Sequence, residues 1–229
     1  MKHIILILLA GSMLVNFSAY SQKHTFKKPN YKKIKRVIKH RHSKFYYPAL
    51  MKRYLKADTT LTLKERRYLY YGYVFQDTYF PYGTSNYIDS LKPLLNKKQP
   101  TVIELSEIIR LADSALLENP FDLRMLNYQL YAYELLSDKS DFDKKINQMK
   151  IIVDAMISSG NGLTKETAFY VIFITHEYDL LNILGFDFGG TQSLIEHYDY
   201  LKLADNSEQI DGLYFDITPC LNSLNQMFK

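Results

Sequence analysis

From Val102 to Met156 apolar residues recur three and four positions apart, and past Gly160-Asn161-Gly162 that rhythm stops. Val102, Leu105, Ile108, Ile109, Ala112, Ala115 and Leu116 make one stripe. Leu123, Leu126, Leu130, Tyr133 and Leu136 make a second, and Phe142, Ile146, Met149, Ile152, Val153 and Met156 a third. A period near 3.6 puts each set on one helix face. Asn119-Pro120 separates the first two, because proline cannot continue a helix but suits the opening of the next, here with Asp122 close behind. Hairpins of this kind are the unit of tetratricopeptide-type arrays, and about one and a half repeat-like units are visible.

Beyond Gly162 the pattern is that of strands. Ala168 to Ile174 is short and rich in β-branched and aromatic residues, as a buried strand is. Thr175 is expected to cap a short inserted helix carrying Leu180, Leu181 and Leu184 and ending at Gly185. Ser193–Leu203 and Gly212–Thr218 are expected as strands joined through Asp205-Asn206-Ser207, with a terminal helix from Leu221 to Phe228. Helices first and a small sheet second define an α+β chain, the sheet expected to be antiparallel.

The opening residues carry a different message. Met1-Lys2-His3 is basic, Ile4 to Phe17 is an apolar run, and Ala19-Tyr20-Ser21 presents small residues three and one before a break. About fourteen apolar residues suit a signal peptide, whereas a membrane span takes about twenty. Residues 1–21 are therefore expected to be removed near Ser21/Gln22, leaving a chain without a transmembrane segment, periplasmic or secreted. Cys220 is the only cysteine, so no internal disulfide can form.

Behind the signal, residues 22–56 contain 13 Lys or Arg and no Asp or Glu. Residues 57–229 hold 15 Lys or Arg against 24 Asp or Glu. Two readings follow: the basic arm docks on its own acidic body, or it meets an acidic partner in the cell envelope. Nucleic acid is not expected, since no recognition motif accompanies the basic run. Within the arm, Tyr31, Ile34, Val37 and Ile38 make the apolar face of a short helix after Pro29, and Lys32, Lys33, Lys35, Arg36, Lys39 and Arg41 are its candidate contacts for an acidic surface. Ser43 is expected to cap a second helix through Ala49, Leu50, Tyr54 and Leu55. Thr62 with Glu65 has capping-box spacing for a third, running to about Phe75. The organisation expected is a signal peptide (1–21), a basic helical arm (22–56), a helical subdomain (57–160) and an α+β region of the same domain (161–229).

The phrases Leu69-Tyr70-Tyr71-Gly72-Tyr73, Tyr79-Phe80-Pro81-Tyr82, Thr167-Ala168-Phe169-Tyr170-Val171-Ile172, Glu177-Tyr178 and Gly212-Leu213-Tyr214-Phe215 resemble a family of exported bacterial proteins found chiefly in Bacteroidota, domain of unknown function 4919. The resemblance runs from about Ser43 to Ile217. It implies an envelope or secreted protein and supplies no catalytic residues.

Seven tyrosines fall between Tyr68 and Tyr87. Tyrosine joins a flat apolar ring to a hydroxyl, which suits sugars and peptides. Tyr70 and Tyr73 fit a helix core, while Tyr79, Tyr82 and Tyr87 lie in a loop and are the candidate ligand-binding residues. His176-Glu177 lacks the second histidine of a zinc-protease helix, no serine sits in a nucleophile elbow, and Gly189-Gly190 is not a phosphate loop, so no metal or cofactor is expected. Cys220 reads as a small buried apolar group. Glu177, Asp179, Glu196, Asp199, Asp211 and Asp216 crowd the C-terminal third. Two of them suitably spaced could hydrolyse a glycoside, although in strands acidic residues usually mark the solvated face. The expected function is a non-enzymatic binding module for a cell-envelope component. An envelope hydrolase using the C-terminal carboxylates and a purely structural envelope protein are the alternatives.

Overall fold

A computed structural model describes residues 26–83 and 85–227. The signal peptide, the Ser21/Gln22 cleavage point and His24 lie outside the described residues. Asn30 caps α1 (Tyr31–Val37) by accepting from Lys33 N at 2.9 Å. α2 (Tyr47–Leu55) starts later than the Ser43 cap implies. Ser43 Oγ accepts from Phe45 N at 3.1 Å in the turn ahead of the helix, and Pro48 occupies the first turn instead. The Thr62–Glu65 capping box forms as its spacing requires, Glu65 Oε2 accepting from Thr62 N at 2.9 Å, and opens α3 (Leu63–Gly72). α3 tightens into a 3-10 turn over Tyr73–Phe75 instead of continuing as α-helix.

α4 (Ile88–Leu95) has no capping side chain and contains Pro93, so it carries no start signal in the sequence. α5 (Val102–Glu118), α6 (Leu123–Leu135) and α7 (Lys139–Ile157) are the three periodic helices. Asn119-Pro120 lies between the first two, with Asp122 as the N-cap of α6. Val102, counted in the apolar stripe, is exposed at the helix start. At the end of α7 the chain passes so close beneath Thr167 that a Cβ on Gly160 would sit 2.1 Å from the Thr167 carbonyl oxygen, which only glycine avoids.

The C-terminal part consists of β1 (Phe169–Tyr170), α8 (Thr175–Ile183), β2 (Phe188–Ile195), β3 (Tyr198–Leu203), β4 (Gly212–Asp216) and α9 (Thr218–Met227). The sheet order is β1-β4-β3-β2. β2 with β3 and β3 with β4 are antiparallel, whereas β1 adds to β4 as a parallel edge. The described residues thus form nine helices and a mixed four-stranded sheet, an α+β fold.

Two strand expectations change in detail. The run from Ala168 to Ile174 is buried as far as Phe173, with Ile174 half-buried, but pairs as a strand only at Phe169 and Tyr170. Beyond them tyrosine hydroxyls take the place of a neighbouring strand: Ile172 N donates to Tyr70 Oη at 3.3 Å, and Ile172 O accepts from Tyr79 Oη at 2.7 Å. The segment Ser193–Leu203 is two strands rather than one, folded back at Glu196-His197, where Glu196 adopts φ 62°. A left-handed glutamate has no turn signature to read. Thr175, expected as a cap, is the first residue of α8 and caps nothing; Ile174 stands in the N-cap position.

The main apolar core joins α1, α3, α7, α8 and the sheet, and a smaller one lies between α4, α5 and α6. The basic arm is part of the main core. Ile34 and Ile38 are 4% and 2% exposed, and burying such a side chain stabilises by about 1.5–3 kcal/mol.

Candidate functional site

α1 has two faces because its sequence has two periods interleaved. Ile34 and Ile38 turn inward, and the Tyr31 ring meets Tyr71 edge-on at 6.0 Å between centroids. Lys32, Lys33, Lys35, Arg36, Lys39 and Arg41 are all exposed. Among the described residues none of the six has an acidic partner. Within the described arm only Arg53 is paired, with Asp58 and Glu65, each at 2.7 Å. Docking on the body therefore proceeds through apolar side chains and leaves the cationic face unneutralised.

Two of those cations overlook a cleft of about 490 Å³ between α1, the Tyr73–Phe75 turn with the residues after it, and the start of α9. Lys35 Nζ lies 5.5 Å from the centre of the Phe75 ring, close enough for a cation–π contact. Lys39, Tyr79, Thr218, Asn222 and Ser223 complete the polar wall, with Asp77 as the opposing carboxylate. Two ammonium groups face one carboxylate in its wall, so the cleft favours an anion.

The three loop tyrosines do not assemble. Tyr79 lines this cleft with its ring, but its hydroxyl is held by Ile172 O and its ring packs against Tyr73 and Phe173. Tyr82 packs on the main core and Tyr87 on the smaller one.

Behind the cleft lies a polar interior that the sequence did not announce. His176 is fully buried, Nδ1 2.7 Å from Tyr70 Oη and Nε2 2.9 Å from Phe121 O. A carbonyl only accepts, so Nε2 carries the hydrogen and Nδ1 accepts from the tyrosine. Burial holds this imidazole neutral, lowering its pKa to about 4. It is a satisfied core histidine.

The six C-terminal carboxylates sort into different environments. Glu196 and Asp211 are exposed. Asp216 accepts from Thr218 N at 3.0 Å, and Asp179 pairs with Arg124. Glu177 and Asp199 converge, 0% and 4% exposed. No N–H or O–H donor among the described residues reaches either Glu177 oxygen. The facing group is the Asp199 carboxyl, so the two must share a proton. Burial first, and the Asp199 charge second, push Glu177 up to about 9, which leaves it the proton's holder at neutral pH. Asp199 accepts from Gln192 Nε2 at 2.7 Å, and Gln192 Oε1 accepts from Tyr178 Oη at 2.5 Å. Neither acid lines the cleft beside α1 or the one between α6, α7 and α8. Cys220 is buried nearby, and burial raises its thiol to about 12, far from a reactive thiolate.

Sequence position signalled this burial in retrospect. Asp199, Leu201 and Leu203 are alternate residues of β3 and share its inner face, while Glu177 is one turn from Leu180 and Leu181 on α8.

Among the described residues no three His, Cys, Asp or Glu side chains gather into a metal-holding group, and no helix is long and apolar enough to cross a membrane. A family model described as Domain of unknown function (DUF4919) matches residues 32–226. No curated protein and no solved structure matches the chain.

Proposed function

We propose, for a chain that belongs to the DUF4919 family, an exported, non-enzymatic binding module that engages a phosphate-bearing component of the cell envelope. The observation that carries this reading is the set of six exposed cations without acidic partners among the described residues, four on α1 and two just after it, on a segment whose other side is packed into the core. The backbone that carries these cations is already folded, so only their side chains need ordering when they meet an anionic surface. The cleft beside Lys35 and Lys39 gives one phosphate group a seat in that face. The apolar run of residues 4–17 supports export. Hydrolysis by the C-terminal carboxylates is the weaker reading. Glu177 and Asp199 do converge, but two acids sharing one proton in a sealed interior have no room for a glycosidic bond between them.

The test is co-sedimentation with vesicles of anionic phospholipid, and with purely zwitterionic vesicles, across a salt titration. Binding should be confined to the anionic vesicles and should weaken with salt. Each Lys or Arg near such a surface contributes about 1 kcal/mol, so changing Lys35 and Lys39 to Gln should lower affinity roughly thirtyfold. Equal binding to both vesicle types, or undiminished binding by the variant, would refute the electrostatic basis.

A further inference from the structure

A second cleft, of about 340 Å³, opens where α6, α7 and α8 meet and shares no residue with the one beside α1. Its size is at the lower end for small-molecule sites, which run from roughly 300 to 1,000 Å³. Helical spacing assembles its rim. Arg124, Asn127 and Tyr128 are three and four positions apart on one face of α6, and Asp179 and Asn182 are three apart on α8. Leu123, Met149 and Ile183 are buried and close the base with carbon. A ligand therefore meets the rim: Arg124 and Asn182 are exposed, and Asn127 and Tyr128 are half-buried.

Hydrogen-bonding capacity at that rim is unused. Arg124 Nε donates to Asp179 Oδ1 at 3.0 Å, and among the described residues nothing takes the two terminal nitrogens. Nor do the side chains of Asn127 and Asn182 or the Tyr128 hydroxyl bond to any described residue. The charges cancel. Burial raises Asp179 to about 6, so it is ionised at neutral pH, and it sits against Arg124, the one cation in the described lining.

A free ion of either sign would meet one like charge beside one opposite charge, with little net attraction. An apolar molecule would strip water from the four polar side chains of the rim and return no bond to any of them. Guanidinium donates, and a side-chain amide both donates and accepts, so the matching group is one that does both, as a hydroxyl does. Peptide amides share that capacity, but an extended peptide is read along a sheet edge, and this is a short hollow among three helices.

We infer that this cleft holds an uncharged sugar, its neighbouring hydroxyls shared between the terminal nitrogens of Arg124 and the side-chain amides of Asn127 and Asn182, with Tyr128 flanking the ring. The site is separate from the cationic face and does not depend on it.

Nuclear magnetic resonance of the isotope-labelled chain at neutral pH tests this. The side-chain amides of Asn127 and Asn182 give signals of their own, assigned by their loss in Asn127→Ala and Asn182→Ala. Glucose, galactose, mannose and N-acetylglucosamine are the uncharged probes. Glucosamine and glucuronate put a charge of either sign on the same ring, and N-acetyl-alanyl-alaninamide stands for a peptide. At least one uncharged sugar should shift both amide signals saturably at millimolar concentration, and its charged counterparts should bind no more tightly. Asn182→Ala removes bonds to the sugar and none within the chain, so affinity should fall about two- to tenfold for each bond lost. Binding to anionic vesicles should stay unchanged in that variant. Asn127→Ala should act alike; if it fails to fold, the exposed Asn182 position and the signals of the unaltered chain decide. Tighter binding of a charged sugar would make the cleft an ion site, and binding of the blocked dipeptide alone would make it a peptide site. Either result would overturn the assignment, as would the absence of shifts with all the uncharged sugars or unchanged affinity in Asn182→Ala.

Discussion

Tyr70, Tyr71 and Tyr79 direct their hydroxyls to buried backbone and imidazole groups of distant segments, of which Ala155 O alone also has a second donor, Ser158 Oγ. Tyr70 Oη accepts from Ile172 N and donates to His176, Tyr71 Oη donates to Ala155 O, and Tyr79 Oη donates to Ile172 O. Removing one such hydroxyl leaves a buried group without its partner, which costs roughly 1–3 kcal/mol. Tyr70→Phe strips partners from both Ile172 N and His176 Nδ1, so its cost should fall at the upper end of that range. Tyr79→Phe removes one short bond, to Ile172 O, and a long, weak contact with Cys220 Sγ at 4.0 Å, and should fall at the lower end. Urea denaturation of the two variants measures both, and Tyr82→Phe, with no hydroxyl bond to lose, is the control. The ring chemistry of this cluster was legible: alternating tyrosines on a capped helix belong in a core. The hydroxyl partners were not, because they lie about a hundred positions away and are ordered by packing rather than by local spacing. The same holds for Arg124 and Asp179, which lie 55 positions apart and become an ion pair only when α6 and α8 meet.

At the scale of elements, α8 carries two titrating groups with opposite effects on stability. Glu177 has a folded-state pKa raised from 4.5 to about 9, so its contribution is complete below pH 4.5 and is lost as pH rises toward 9. His176 is lowered from 6.5 to about 4, so its contribution is complete above pH 6.5 and is lost as pH falls toward 4. Between 4.5 and 6.5 the two slopes oppose each other. Above 6.5 only Glu177 of this pair still titrates, and Asp179, raised from 3.8 to about 6, has already finished. The urea midpoint should therefore fall between pH 6.5 and pH 9, and Glu177→Gln should flatten that decline while keeping a donor for Asp199. A decline of equal slope in the variant would place the alkaline sensitivity elsewhere. The elements themselves were legible in proportion to how strongly their signals are local. α5 to α7 have long periods and clear breaks, and α3 has its capping box. α4 has neither, the β2–β3 turn rests on a left-handed Glu196, and the strand after Ala168 gives way to bonds with Tyr70 of α3 and Tyr79 of the loop that follows it.

Across the whole molecule the charge asymmetry and the core meet in one helix. The basic arm and the acidic body suggested attraction as the means of docking, yet the arm is held by Ile34, Ile38 and Tyr31 while its six outer cations find no acidic partner among the described residues. Packing and charge can therefore be separated by mutation. Ile34→Ala or Ile38→Ala should cost about 2–5 kcal/mol, since each removes a fully buried side chain from a core that only partly collapses. Replacing Lys32, Lys33, Lys35, Arg36, Lys39 and Arg41 by Gln should shift stability by no more than about 0.5 kcal/mol per site. The shift is expected toward greater stability, because six like charges on one short segment repel one another. That variant should nevertheless lose its binding to anionic vesicles, whereas an isoleucine variant that remains folded should keep it. Truncating the arm would confound the two, because it opens the core as it removes the charge. Paired denaturation and co-sedimentation on the two classes of variant keep them apart. A glutamine variant that unfolds would assign the cations to holding the arm in place, and one that stays folded and still binds would remove the anionic surface as the reason the chain keeps them exposed.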